Sequence, residues 1–168
     1  MPSIVDLTAQ QPSRVLQPGD VLIAEGEGGG DLYVLLMGEL AVERDGIKLA
    51  TLNQPGTLVG EMSVLLGAKS TADVRATRES RVRVVRDAAK VLEAEPRLAM
   101  RVAALVAARL DATSALLVDL SKEHAGKPHE QSILSRLIGA LHVATDDGAE
   151  VQRLDLFADP TLMPRPPM

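Results

Sequence analysis

Residues 55–77 read Pro55-Gly-Thr-Leu-Val-Gly60-Glu-Met-Ser-Val-Leu-Leu-Gly67-Ala-Lys-Ser-Thr-Ala-Asp-Val-Arg-Ala-Thr77. This order predicts a short apolar strand that ends at Gly60, followed by one or two turns of helix that close at Gly67. A helix N-terminus exposes unpaired N–H groups and a partial positive charge, so such a turn suits a phosphate. Glycine lets a ligand approach the backbone, and Glu61 can accept hydrogen bonds from a sugar hydroxyl. On spacing alone, the alternative is a plain strand–turn–helix corner without a ligand, in which Glu61 only interacts favourably with the helix dipole.

The residues on either side of this segment indicate a β-rich first half. Short apolar stretches alternate with Gly, Pro and Asp turn signals, which is typical of a sandwich or a barrel-like roll. The predicted strands are 21–24, 32–37, 40–43, 47–52, 74–76 and 82–85. Asp45-Gly46 predicts a two-residue hairpin, because a type I′ turn needs positive φ at both central residues.

The second half is rich in good helix formers. We expect Asp87 to cap a short helix over 88–94 that Pro96 ends, and a long helix over about 97–121 to follow. A further amphipathic helix is predicted over 129–144, before a proline-rich end. The apolar stripe of the long helix comprises Leu98, Val102, Leu105, Ala112, Leu116 and Leu120. This narrow stripe predicts a homodimer through the helix, and packing on its own roll is the alternative.

Composition disfavours several classes of protein. The net charge of −5 and the presence of one tyrosine and one phenylalanine argue against binding to nucleic acid by a basic patch or by base stacking. The chain has no cysteine, which excludes disulfides and thiolate chemistry. No signal peptide or membrane-length apolar run is recognisable, so we expect a cytoplasmic protein without a membrane partner.

Catalysis and metal binding are not expected. A metalloenzyme built on a β-roll needs histidines on inward-facing strands, whereas His124, His129 and His142 all follow the β region. No set of nucleophile and base is visible, so we predict no enzyme activity, no metal and no cofactor. The glycine run at 26–30 is interpreted as a hairpin loop, because Asp31 stands where a dinucleotide loop needs its third glycine.

From Leu16 to about Leu120, the chain resembles the cyclic nucleotide-binding domain family, in particular the sensor domains of catabolite-activator-type transcription factors. Three motifs carry the resemblance: Pro18-Gly19-Asp20 with Ile23 to Gly26, Leu32-Tyr33 with Gly38-Glu39-Leu40, and Gly60-Glu61-Met62-Ser63 with Ala72 and Val74. The implied fold is mainly β with flanking helices, a jelly-roll-like β-roll followed by a long C-terminal helix. We place this domain at 14–121, between an N-terminal segment (1–13) and a C-terminal helix and tail (122–168).

The resemblance also implies a ligand, a cyclic nucleotide with cyclic AMP favoured over cyclic GMP. It places backbone amides around Glu61, Met62 and Ser63 near the cyclic phosphate, and Glu61 on the ribose 2′-hydroxyl. It brings Thr113 and Ser114 of the long helix to the edge of the purine, with a partner subunit able to supply one of them. Their alternative role is that of two polar residues on a helix flank. The implied ligand-binding set is Gly60, Glu61, Met62, Ser63, Lys69, Ser70, Thr71, Ala72, Thr113 and Ser114.

One departure from the family concerns the phosphate. Ser70 stands where the family has an arginine, and a bidentate arginine–phosphate pair is stronger than a neutral hydroxyl contact. Lys69, Arg75 or Arg78 could compensate. Three outcomes stay open: weak or lysine-assisted cyclic nucleotide binding, a different ligand, or a ligand-free domain that acts as a scaffold for protein contacts and dimerisation.

The first outcome describes a regulatory module that signals to a protein partner through helix rearrangement. Binding to DNA is not expected, although a winged helix-turn-helix follows the sensor domain in the related transcription factors. Only about 45 residues follow Glu123, and they lack a second helix after a tight turn and a cluster of basic residues.

Overall fold

The computed structural model of this protein describes residues 2–124 and 126. The chain divides into two compact units, Met1–Val106 and Ala107–Met168. The predicted helix over 129–144, the proline-rich end, His129 and His142 lie outside the described residues.

The first unit contains two four-stranded antiparallel sheets, in the orders β1-β8-β3-β6 and β2-β7-β4-β5. This arrangement is the mainly β roll that the sequence predicts. The strands are β1 (Ser13–Leu16), β2 (Val21–Ile23), β3 (Leu32–Met37), β4 (Leu40–Arg44), β5 (Ile47–Leu52), β6 (Leu58–Val59), β7 (Asp73–Ala76) and β8 (Ser80–Val85).

In the part of the chain that the structure describes, four helices accompany the strands: α1 (Ile4–Leu7), α2 (Glu61–Leu66), α3 (Ala88–Ala94) and α4 (Pro96–Glu123). Pro96 ends α3 as predicted and occupies the first position of α4, where its missing N–H and fixed φ cost nothing. No helix among residues 2–124 and 126 combines the length and the apolar content needed to cross a bilayer.

Strand β3 is buried on both faces because its side chains alternate between two apolar clusters. Leu32 and Val34 belong to an outer cluster that includes residues of α1, α3 and the start of α4. Tyr33 and Leu35 belong to an inner cluster between the two sheets. This double burial explains why β3 reads as a nearly continuous apolar run instead of alternating with polar residues.

The turn chemistry agrees with the sequence at one predicted position and differs at another. Asp45 and Gly46 both have positive φ, +50° and +73°, as the predicted hairpin requires. Asp87 occupies the N-cap position of α3 as predicted, but it has a φ of +47° and its side chain makes no capping hydrogen bond. The N–H of Ala88 instead donates to the carbonyl of Gly30 at 2.7 Å, so a distant loop satisfies the start of the helix.

The apolar stripe of α4 divides at Leu105. In the first unit, Leu98 and Val102 are buried in the outer cluster and Leu105 packs against it, so this half of the stripe packs on its own roll. In the second unit, Leu116 is 61% exposed.

Candidate functional site

Helix α2 begins and ends on glycines in the left-handed conformation. Gly60 has a φ of +89° and Gly67 a φ of +60°. A Cβ atom at position 60 would lie 2.8 Å from the carbonyl oxygen of Asp31, so any larger residue would have to displace backbone. Gly60 is therefore required both for its conformation and for a close approach. The first N–H groups of the helix, including those of Met62 and Ser63, have no carbonyl partner within the helix itself.

A glycine-rich loop lies directly beside α2. We call residues 26–30 the glycine loop. A Cβ atom at Gly29 would lie 2.7 Å from the Cβ of Ser63, so the loop touches the helix at van der Waals distance. The Gly26 N–H donates to the Ser70 carbonyl at 2.8 Å, and the Ser70 N–H donates to the Glu27 carbonyl at 2.9 Å. The loop thus connects the two ends of the segment 60–72, which we call the cassette.

The glycine loop and the start of α2 enclose a small cavity of about 80 Å³, the cassette cavity. Side chains from β2 and β3 form its apolar wall. Its full lining is Leu22, Ile23, Glu27, Gly28, Gly29, Gly30, Asp31, Tyr33, Gly60 and Ser63. The predicted helix end therefore faces a cavity built from parts of the chain that are distant in sequence.

The charge of this cavity is negative, because Glu27 and Asp31 are the ionisable carboxylates in its lining and no lysine or arginine of residues 2–124 and 126 lines it. The two arginines considered as substitutes for the family's arginine are engaged elsewhere. Arg75 donates to the carbonyl of Gly19 at 2.9 Å, and Arg78 donates to the carbonyl of Gly38 at 3.4 Å.

The cassette residues predicted as ligands fall into three groups. Gly60 and Ser63 line the cavity. Glu61 is 3% exposed and lies next to them in α2, although it does not itself line the cavity, and Met62 is 53% exposed. The others lie on the cassette segment that pairs with the glycine loop: Lys69 is exposed, whereas Ser70, Thr71 and Ala72 are partly buried.

Ser70 takes part in a local turn. Its hydroxyl group donates to the carbonyl of Ala72 at 2.8 Å. Lys69 pairs with Gly28 across an isolated β-bridge. Among the basic residues of the cassette and of β7, Lys69 is thus the one that pairs directly with the glycine loop, which lines the cavity.

Thr113 and Ser114, the two residues predicted to meet a purine, belong to the second unit. The Thr113 hydroxyl donates to the carbonyl of Arg109 at 2.8 Å, and the Ser114 hydroxyl donates to the carbonyl of Leu110 at 2.9 Å. Both bonds run back one helical turn, which is common for these residues within helices. Their role in ligand binding stays a prediction.

Of the residues that line the cavity, sequence reasoning placed only Gly60 and Ser63 in the ligand-binding set, and it missed Asp31 and Tyr33 among the others. Asp31 closes one end of the glycine loop, and its carboxylate accepts a hydrogen bond from the Asp87 N–H at 3.2 Å. Tyr33 is the single tyrosine of the chain, and this rarity was the one signal that could have marked it. Among residues 2–124 and 126, no group of three or more His, Cys, Asp or Glu residues could hold a metal ion.

The environment of Tyr33 stabilises its neutral phenol. Burial raises its pKa above the usual 10.0, the carboxylate of Asp31 raises it further, and Arg14 and Arg86 partly oppose the shift. A group whose pKa is raised on folding stabilises the protein fully below its unfolded pKa and loses that contribution as the pH rises through the folded value.

We therefore expect Tyr33 to ionise above pH 10, and the free energy of unfolding to fall as it does so. The ultraviolet absorbance of the phenolate reports this residue alone, because the chain has one tyrosine and no tryptophan. The Tyr33→Phe variant provides the control, since it removes the transition. A midpoint at or below pH 10 would contradict the burial of the phenol.

Comparison with known proteins gives a consistent result. Residues 13–90 match a family model described as the cyclic nucleotide-binding domain. The chain is similar to the catabolite activator protein of Thermus thermophilus, with a TM-score of 0.60, 30% identity and coverage of 74% of this chain and 62% of that one. It is also similar to the N-terminal domain of a transcriptional regulator from Streptomyces coelicolor A3(2), with a TM-score of 0.50, 32% identity and coverage of 65% and 82%.

Among curated proteins, the cGMP-dependent protein kinase egl-4 of Caenorhabditis briggsae is 37% identical over 73 residues, which is 44% of this chain. The chain spans about a tenth of the length of that kinase. The residues that match the family model, 13–90, include the glycine loop and the cassette.

Proposed function

Because this chain belongs to the cyclic nucleotide-binding domain family, we propose that it is a ligand-sensing regulatory module that binds a cyclic nucleotide, cyclic AMP in preference to cyclic GMP. In this proposal the module carries out no chemistry of its own. Binding at the cassette changes the positions of its helices, and the helices act on a protein partner.

The observation that carries the proposal is the start of α2. Gly60 brings the helix end against the cassette cavity, and Ser63 lines the same cavity. N–H groups at a helix start attract an anion through hydrogen bonds and through the helix dipole. In the proposed complex these groups hold the cyclic phosphate, and Lys69 replaces the family's arginine as a point charge on a flexible stem.

Glu61 is the proposed partner of the ribose. Its burial in the first turn of α2 keeps its carboxylate away from bulk water. A carboxylate accepts hydrogen bonds from hydroxyl groups, and such charged bonds are about twice as strong as neutral ones. Thr113 and Ser114 are the proposed contacts for the purine.

The glycine loop offers a route from the ligand to the helices. The Ala88 N–H donates to the Gly30 carbonyl at 2.7 Å, and the Asp87 N–H donates to the Asp31 carboxylate at 3.2 Å. The start of α3 is therefore attached to the loop that lines the cavity. A ligand that makes different contacts in two positions of this loop shifts the position of α3, because only differential binding can move such an equilibrium.

Dimerisation through α4 is part of the same proposal. Four large apolar side chains of this helix are exposed: Met100, Leu110, Leu116 and Val118. Leu110 and Val118 lie eight residues, about two helical turns, apart, so they share one face of the helix, and an exposed apolar face favours association with a second helix.

Isothermal titration with cyclic AMP and cyclic GMP tests the proposal, and we expect saturable binding with cyclic AMP the tighter ligand. Glu61→Gln should weaken cyclic AMP by roughly tenfold, since an amide replaces a charged acceptor. Glu93→Gln is the matched control, because Glu93 is an exposed glutamate of α3. Equal affinities in the two variants would overturn the assignment of Glu61.

The negative lining of the cavity favours one second candidate, a ligand-free domain that acts as a scaffold for protein contacts. Glu27 and Asp31 repel a phosphate, and Ser70 brings no positive charge. A thermal-shift panel of cyclic mononucleotides and cyclic dinucleotides distinguishes the two candidates, because a ligand that binds the native state raises the melting temperature. A flat panel, together with an absence of heat at high micromolar cyclic AMP, would support the scaffold.

A further inference from the structure

A second cavity opens on the inner face of the first sheet, on the other side of Tyr33 from the cassette. Tyr33 lies opposite Val84 in the pairing of β3 with β8, so both side chains stand on the same face of the sheet. Arg14 of β1 and Arg86, directly after β8, flank these two residues. We call this cavity of about 320 Å³ the arginine groove.

The two arginines of the groove are both exposed. Among residues 2–124 and 126, neither the Arg14 nor the Arg86 side chain forms a hydrogen bond or an ion pair. The adjacent Arg83, by contrast, donates to the carbonyls of Ala9 and Gln11 at 2.7 and 2.9 Å.

Asp31 also lines the groove, but its carboxylate already accepts the Asp87 N–H. One carboxylate against two guanidinium groups leaves an excess of positive charge in the lining of the groove. In a chain with a net charge of −5, this local excess stands out.

The other walls indicate what kind of anion fits. Tyr33 keeps a neutral phenol at neutral pH, which can donate a hydrogen bond, and Val84 supplies an apolar surface. Guanidinium groups bind phosphate and carboxylate groups through paired hydrogen bonds. We propose that the arginine groove binds a small molecule that carries a phosphate or carboxylate group on a short apolar body, with Arg14 and Arg86 as its charged contacts.

Tyr33 makes the proposal directly measurable. It is the only tyrosine, and the chain has no tryptophan, so the ultraviolet fluorescence of the protein comes from a residue that lines both the arginine groove and the cassette cavity, and the variants below assign the response to one of them. We would titrate the full chain with butyl phosphate and with butyrate at constant ionic strength, and use butanol as the neutral analogue. At least one of the two anions should give a saturable change in tyrosine fluorescence. The comparison of butyl phosphate with butyrate then shows whether the groove prefers a phosphate or a carboxylate group. A response to neither anion, or an equal response to butanol, would overturn the proposal.

The double variant Arg14→Gln/Arg86→Gln assigns the response to the groove. We expect it to weaken the responding anion by about tenfold or more, since two charged contacts are lost. The matched control is Arg44→Gln/Arg81→Gln, which removes the same charge from two exposed positions outside the groove. Because no cyclic nucleotide is used, failure of this test is separate from failure of the cassette proposal. An anion that binds the double variant as tightly as the parent would belong to another site, and the proposal would be wrong.

A second measurement covers the case in which the double variant does not fold. In the unaltered protein, the side-chain Nε–H resonances of Arg14 and Arg86 can be assigned with the single variants Arg14→Lys and Arg86→Lys. Addition of the responding anion should shift these two resonances and leave that of Arg83 in place. Unmoved Arg14 and Arg86 resonances would contradict the proposal.

Discussion

Replacing Gly60 with alanine is expected to destabilise the protein by about 2–4 kcal/mol. Part of this loss is backbone strain, because a φ of +89° costs an alanine about 1–3 kcal/mol. The rest arises because the new Cβ atom would lie 2.8 Å from the carbonyl oxygen of Asp31, a backbone atom that cannot rotate away. Urea unfolding measures the change.

Gly46→Ala separates the two contributions. Gly46 has a similar φ of +73°, but a Cβ atom there meets nothing within 4 Å. We expect it to lose about 1 kcal/mol, from strain alone. Equal losses in the two variants would show that the close approach of Gly60 to Asp31 contributes nothing to stability.

The Gly60→Ala change should also affect ligand binding in the fraction of protein that still folds. Moving the Asp31 carbonyl disturbs a residue that lines the cassette cavity and whose carboxylate accepts the Asp87 N–H. Calorimetry well below the melting temperature of the variant should therefore give weaker cyclic AMP binding than in Gly46→Ala.

Arginine at position 70 is expected to tighten cyclic AMP binding by about tenfold or more. A charged hydrogen bond contributes roughly 1.5–3 kcal/mol against about 1 kcal/mol for a neutral one, and about 1.4 kcal/mol corresponds to a factor of ten. Both backbone groups of Ser70 are held by the glycine loop, because its carbonyl accepts the Gly26 N–H and its own N–H donates to the Glu27 carbonyl. The substitution removes the two bonds of the Ser70 hydroxyl, one donated to the Ala72 carbonyl at 2.8 Å and one accepted from the Ala72 N–H at 3.5 Å, and it leaves these backbone bonds in place, so the loop should keep its course.

Thr71→Arg is the matched control for this substitution, because it adds the same charge one residue further along. We expect a much smaller gain in cyclic AMP affinity from Thr71→Arg, because that variant adds only the long-range attraction of a positive charge for the phosphate. Unchanged affinity in Ser70→Arg, measured by calorimetry, would mean that cyclic AMP does not place its phosphate at the cassette.

Much of the fold could be predicted because its strands carry strong local signals. The strands at 32–37 and 47–52 were predicted with their observed bounds, and the Asp45-Gly46 hairpin was confirmed in φ at both residues. Strand β1 was missed because only its last residue, Leu16, is buried, which leaves no alternating pattern. Helix α1 was missed because it has four residues and depends on a capping box between Ser3 and Asp6.

The candidate site was predictable only in its local part. The pair Gly60 and Gly67 marks α2 in the sequence, and the structure places both as its flanking residues. The opposite wall of the cavity comes from Asp31 and Tyr33, about thirty residues earlier, and no local pattern connects them with the cassette. The side-chain cap expected from Asp87 could not be judged locally either, because the carbonyl that accepts the first N–H of α3 belongs to the distant Gly30.

The double burial of β3 sets the shortest fragment of this chain that can be produced as a folded piece. The family match stops at residue 90, but the outer cluster that covers Leu32 and Val34 also draws on Leu92, Leu98 and Val102. A fragment that ends at residue 90 would lack those three side chains. It would expose the outer apolar face of β3, and we expect it to aggregate through that face. A soluble fragment for crystallography or NMR has to extend to Val106, where the first unit ends.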